Sequence, residues 1–309
     1  MKIALLFPGY GNHLVGATKD LYDNNRIIQE YFEEASSCLN INVVKLCFAS
    51  SESELSKMEN AQIALFLLSS SIYKVLEAQG IVPELVMGHN TGSYAALFAA
   101  KSISFPDGLY LLSKYAAFFQ EFVASTAIKI IQVKGIERQQ LEEWCAQASG
   151  DQYQAYVTTY YTDEFHCVGG HSPAVDDVMR LVGPRGEVEE LNNAYGLHAP
   201  IADSLVDLYM PYLEKVDLKA PVLSFVSETE GRLISSEQDV GNEILSIVNK
   251  PLRFYHLMDV LALHELVIEV GAGTFLSTLI KMKYPEKHVI TVHKQADIAE
   301  INTLLSPIL

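Results

Sequence analysis

Four cysteines and a single tryptophan are spread over 309 residues, and positive charge is scarce: 22 Lys and Arg face 38 Asp and Glu, a formal charge of −16 at pH 7. That deficit argues against broad contact with nucleic acid or an anionic membrane, because the phosphates would be repelled. Cys38, Cys47, Cys145 and Cys167 form no CxxC pair and no metal-ligand spacing, so buried reduced thiols are expected, and no metal site. A long apolar run is missing too. Ala61 to Val75 is interrupted by Ser69, Ser70 and Ser71 and falls short of the roughly 20 residues a membrane span needs. The first apolar run, Ile3 to Phe7, is stopped at once by Pro8 and Gly9, too short for a signal peptide. These absences point to a soluble, cytoplasmic chain.

What is present is core-forming material. The apolar fraction is 49 % and the charged fraction only 19 %, which excludes intrinsic disorder and is enough for one large domain or two smaller ones. The acidity is uneven, since residues 250–309 hold six basic and six acidic side chains while the excess lies upstream. An acidic macromolecular partner is therefore expected to approach through Lys250, Arg253, Lys281, Lys283 and Lys287.

Strand-like apolar runs alternate with helix-like segments, the pattern of a parallel sheet covered by helices on both faces. Ile3 to Phe7 and Leu85 to Met87 read as buried strands; Ile27 to Ala49, Glu54 to Gln79 and Gly92 to Ala100 read as helices. From Ile128 the rhythm becomes strand, helix, strand, strand, helix, strand, the ferredoxin-like order. The expected class is α/β, with residues 1–127 and 196–309 forming a large core and 128–195 a small inserted domain. After the insert the reading is a helix around Ile201 to Leu213, a strand Val222 to Val226, and helices Gly241 to Val248 and Tyr255 to Ala262. A strand Glu265 to Val270 and a helix Phe275 to Met282 follow.

The segment richest in chemistry runs from Leu85 to Leu97: a short strand, Gly88-His89-Asn90-Thr91-Gly92, then an alanine-rich helix. Its Gly-x-x-x-Gly frame is that of a nucleophile elbow, whose middle residue stands exposed at a helix N-terminus. That residue is normally Ser. Here it is Asn90, whose amide nitrogen lone pair is delocalised and is no useful acyl acceptor. Asn90 also suits the start of a helix on capping grounds alone. Of the neighbouring hydroxyls, Thr91 would point away along the helix and Ser93 would lie too far along its rise.

At this point the chain resembles the malonyl-CoA:acyl-carrier-protein transacylase family of fatty-acid and polyketide synthesis, over nearly its whole length. Phe7-Pro8-Gly9-Tyr10-Gly11 is similar to FPGQG, Gly88 to Leu97 to GHSLGEYAAL, and Leu197-His198-Ala199-Pro200 to FHSP. Asn249 to Phe254 is similar to NPVRW and Glu269 to Gly273 to EVGPG. Phe105-Pro106-Asp107 with Gln120-Glu121 resembles the surroundings of the family's arginine. The resemblance implies an α/β-hydrolase-like core with a ferredoxin-like insert. It implies a coenzyme A or phosphopantetheine thioester as substrate, acyl-carrier protein as partner, and no bound cofactor.

Carried over position by position, the resemblance puts the catalytic His at His198 and the nucleophile at Asn90. The oxyanion-hole amides fall on Tyr10 and Thr91, and the carboxylate-binding arginine on Tyr115. The residue whose main-chain carbonyl orients the His falls on Ile247. His89 flanks the bend and reads equally as structural or as substrate-binding. His13, His166, His171, His256, His264, His288 and His293 show no ligand spacing and read as ordinary surface or core histidines. Two functions follow from this pattern. One is a transferase or hydrolase of acyl thioesters that uses His198 without a covalent intermediate, on acyl groups other than malonyl. The other is a catalytically inactive scaffold or regulator that binds acyl-carrier protein. A monomer is the favoured state.

Overall fold

All five residues of Ile3–Phe7 are buried, as continuous apolar strands must be when helices cover both faces of a sheet. The computed structural model describes residues 1–9, 15–191 and 196–305. In chain order the strands are β1 (Ile3–Phe7), β2 (Leu85–Gly88), β3 (Ile128–Lys134), β4 (Ala155–Tyr160), β5 (Phe165–His171), β6 (Glu187–Glu190), β7 (Ser224–Val226), β8 (Leu233–Ile234), β9 (Leu252–Arg253), β10 (Leu266–Val270) and β11 (His288–Val292).

The larger sheet has the order β11-β10-β1-β2-β7-β8, parallel except for the last pair. Phe7 pairs with Gly88 and Leu6 with Glu269, so the carboxyl ends of β1, β2 and β10 open at one edge. Loops that follow such ends are where open α/β sheets place ligands. The second sheet has the order β6-β3-β5-β4-β9, and its first four strands alternate with two helices, Arg138–Ala148 and Ser172–Val182, in the ferredoxin-like manner. Its fifth strand, β9, comes from far along the chain and runs parallel to β4.

The core lies between the larger sheet and its helices, with Phe7, Phe32, Leu67, Tyr115, Phe119, Tyr209 and Phe225 almost wholly enclosed. Several expectations are corrected. The helix expected over Ile27 to Ala49 is two, Arg26–Leu39 and Val43–Ala49, because Asn40 takes a left-handed conformation (φ 53°) that ends the first. The helix expected over Glu54 to Gln79 is two, Glu52–Leu55 and Met58–Ala78, and the second, which holds the apolar stretch Ala61 to Val75, is long and apolar enough by length and composition to cross a membrane. It is mostly buried: Ser69, Ser70 and Ser71 lie within the fold. Phe105–Ser125, β11 and the helix Gln295–Leu305 are elements beyond those expected. Cys38 is exposed, on the outward face of Arg26–Leu39, whereas Cys47, Cys145 and Cys167 are buried; all four are free thiols.

Candidate functional site

The bend after β2 is shaped by close packing of main chain. A Cβ at Gly88 would sit 2.2 Å from Ser93 Cα, and one at Gly92 would sit 2.2 Å from the Phe7 carbonyl oxygen. Neither glycine uses a positive φ; the left-handed residue of the turn is Asn90, at φ 53°. The glycines thus serve the approach of the helix Gly92–Ala99 to β1, and the sharp turn is made by Asn90, which tolerates this region better than most side chains. Gly92→Ala is expected to destabilise the fold by about 1–3 kcal/mol, read as a lower urea midpoint.

Asn90 is buried, and its main-chain N–H donates to Glu228 Oε2 at 2.8 Å. Its side-chain Oδ1 has no hydrogen-bond partner among the described residues. The capping explanation for this asparagine is therefore corrected: among the described residues its side chain caps nothing, and its amide oxygen is enclosed without a partner. The next residue, Thr91, is buried, and no hydrogen bond from the described residues reaches its N–H at the start of the helix. An amide N–H in that position is a ready donor to developing negative charge. Tyr10, the other expected amide, lies outside the described residues.

His198 is held by two constraints. It too is left-handed, at φ 45°, and its Nδ1 lies 2.5 Å from the Ile247 carbonyl oxygen. A carbonyl only accepts, so Nδ1 carries the proton and Nε2 is the bare, basic nitrogen. On the Nε2 side the ring lies over Gly196, where a Cβ would come within 2.4 Å of it. Burial, opposed by the Ile247 carbonyl and Glu228 and assisted by His89, pushes the imidazole down to about 4. At neutral pH His198 is an uncharged base.

His89 does not face the same way. Its Nδ1 lies 2.6 Å from Glu228 Oε1, its ring centroid stands 5.5 Å from those of Tyr161 and Phe254, and its Nε2 is 3.5 Å from the Tyr161 hydroxyl. Glu228 is the residue that the sequence reading missed. It is fully buried and binds two consecutive residues of the bend. Nothing in Val226-Ser227-Glu228-Thr229-Glu230 marks one acidic residue as buried; only the folded positions do so.

Tyr115 is enclosed by Phe119 and by Tyr209, whose ring centroid is 6.0 Å away in an edge-to-face contact. The Tyr209 hydroxyl is 2.8 Å from that of Tyr94, on the same helix as Ser93, while the Tyr115 hydroxyl has no partner among the described residues. Burial drives the Tyr115 phenol upward, so it stays a neutral donor. The structure connects Tyr115 to the bend through Tyr209 and Tyr94. Glu269 serves the fold: its Oε2 accepts the Ser277 N–H at 2.9 Å.

Residues 4–298 match the family model described as an acyl transferase domain. The chain belongs to that family. It is 26 % identical to a malonyl CoA-acyl carrier protein transacylase of Bacillus subtilis, over 97 % of this chain and 78 % of that protein. It is 27 % identical to the protein of the same name from Staphylococcus aureus, over 91 % of this chain and 92 % of that one. The crystal structure of the malonyl-CoA:acyl carrier protein transacylase of Xanthomonas oryzae superposes with a TM-score of 0.93 at 25 % identity, covering 98 % of this chain and 99 % of that one. A type II polyketide acyl-carrier protein in complex with its malonyl-transacylase gives 0.93 at 21 % identity, over 99 % of this chain and 100 % of that one, a likeness of fold. The α/β core with its ferredoxin-like insert is thus the fold of the acyl transferase family.

Proposed function

We propose that this acyl transferase moves an acyl group between thiols, coenzyme A and the phosphopantetheine arm of an acyl-carrier protein, by single displacement and without loading its own side chain. The observation that supports the reading is that His198 Nδ1 is held by the Ile247 carbonyl, which leaves Nε2 as the base, while the residue at the apex of the bend is Asn90, which cannot be acylated. His198 Nε2 removes the proton of the incoming thiol, and the thiolate attacks the thioester carbonyl carbon, forming a new C–S bond. The carbonyl oxygen becomes an oxyanion that the Thr91 N–H receives. Collapse breaks the original C–S bond, and the departing thiolate takes the proton back from the His198 imidazolium. Asn90, whose amide oxygen has no partner among the described residues, orients the bound acyl group or the thiol.

The acyl group is one without a terminal carboxylate. A buried neutral phenol at position 115 replaces the cation that would pair with a second carboxyl, and such a charged contact is worth roughly 2–5 kcal/mol when one partner is removed. Kinetics with malonyl and unbranched acyl thioesters compare the two classes directly; faster transfer of malonyl would end this part of the reading.

A carrier protein, itself acidic, would dock on the C-terminal lysines. Lys281 is exposed, and among the described residues no acidic group pairs with it, whereas Lys283 is tied to Asp259 at 2.6 Å and Lys250 to Glu230 at 4.0 Å. Lys281→Glu is expected to weaken carrier-protein binding about tenfold at low salt, and less at high salt, in a calorimetric titration. Unchanged binding at low salt would displace the docking site from this face.

A second reading, a non-catalytic scaffold that holds the carrier protein, is favoured by the closed packing of Tyr115 between aromatic rings. The two part at His198→Ala. A scaffold keeps its binding and has no turnover to lose.

A further inference from the structure

Glu228 is a fully buried carboxylate, and among the described residues no Lys or Arg forms an ion pair with it. Its loop is fixed from both sides: its N–H donates to Glu243 Oε1 at 3.0 Å, and its carbonyl accepts the Arg253 N–H at 3.0 Å. Glu243 in turn accepts from Ser227 Oγ at 2.5 Å and Thr229 Oγ1 at 2.9 Å. Burying an acid without a cationic side chain is costly, and a packing role alone would be filled better by an uncharged residue.

The geometry shows what the charge provides. Oε2 accepts the Asn90 N–H and Oε1 meets His89 Nδ1, so both oxygens act as acceptors when Nδ1 is protonated. A glutamine amide offers one acceptor oxygen and could satisfy only one of the two. We propose that Glu228 is a positioning residue of the acyl-transfer site: as a carboxylate it fixes the Asn90 turn through one oxygen and holds His89 as an Nδ1–H donor through the other. This rests on the acyl-transfer reading above. The titratable groups facing Glu228 are His89, the Tyr161 phenol behind His89, and Glu243 across the loop.

The test uses the full chain labelled with ¹⁵N-histidine and ¹³C-glutamate. In the wild type at pH 7 the Glu228 carboxyl is expected to be ionised, and His89 to show a strongly deshielded Nδ1 proton; a protonated carboxyl, or a His89 protonated only at Nε2, overturns the proposal without any variant. In Glu228→Gln the deshielded His89 Nδ1 proton signal is expected to disappear, because one acceptor oxygen cannot serve both donors. Transfer assays on the same variant are expected to show kcat reduced about tenfold with KM unchanged. A folded variant that keeps the wild-type His89 Nδ1 proton signal refutes the positioning role. If the wild type transfers no acyl group, the acyl-transfer reading fails by itself, and the two nuclear resonance results still decide whether Glu228 is a carboxylate that holds His89.

Discussion

Asn90→Ser is expected to convert a protein that takes up no acyl group into one that does. Incubated with an acyl-CoA, the variant should gain the mass of one acyl group by intact-mass analysis, while the wild type stays at its own mass. The argument is chemical and conformational together. The apex residue takes φ 53°, the following Thr91 N–H has no hydrogen-bond partner among the described residues, and His198 Nε2 is an uncharged acceptor able to take a hydroxyl proton. Serine supplies the lone pair that a carboxamide lacks. The substitution also costs stability, since asparagine tolerates the left-handed region and serine pays about 1 kcal/mol there. A slightly lower melting temperature should therefore accompany the new adduct. A folded variant without adduct would show that the pocket does not admit an acyl thioester, and the transfer reading would go with it.

His198→Ala is expected to lower the rate of acyl transfer by about 10²- to 10⁴-fold, the usual contribution of a positioned general base. The sign of the pH dependence follows from its environment. Burial holds the imidazole at about 4, so the base form dominates from neutral pH down to that value. Only below it does protonation remove the acceptor. The wild-type rate should thus be flat through the range where an ordinary histidine titrates and should fall in an acid limb near 4. A limb near the ordinary histidine value would place the base elsewhere, and an unchanged rate in His198→Ala would leave the carrier-binding scaffold as the function. The same shift bears on stability. The unfolded state binds the proton first, so the contribution of neutral His198 is complete above the ordinary histidine value and is lost as pH falls toward 4.

Much of the frame could be read from residue pattern. The runs Ile3 to Phe7 and Leu85 to Met87 are continuous and apolar, which only a doubly covered strand requires, and both are buried strands of the larger sheet. The change of rhythm at Ile128 is local and periodic, and the ferredoxin-like order follows it. Elements decided by long-range packing were less legible. Leu252–Arg253 is too short to announce itself, and becomes a strand only because β4 lies beside it. Asn40 breaks a pattern that is otherwise helical, through a single backbone angle.

The site divides in the same way. His198, Asn90 and Ile247 could be named from linear motifs, since each lies within or beside a recognisable segment. Glu228 could not, because it is brought to His89 and Asn90 across 139 and 138 residues of sequence and resembles its acidic neighbours in every linear respect. Nor could periodicity show that His89 faces an acid and an aromatic wall while His198 faces a carbonyl.

By itself, then, the order of side chains determined the alternation of strand and helix, the sharp turn at residues 88–92, and the absence of an acylable side chain at its apex. These are local consequences of chirality, sterics and functional-group chemistry. Tertiary structure decided which nitrogen of His198 is bare, how far burial displaces its proton affinity, and which buried carboxylate holds the turn in place. Such properties depend on distances and desolvation, and these exist only once segments remote in the chain have excluded water from one another.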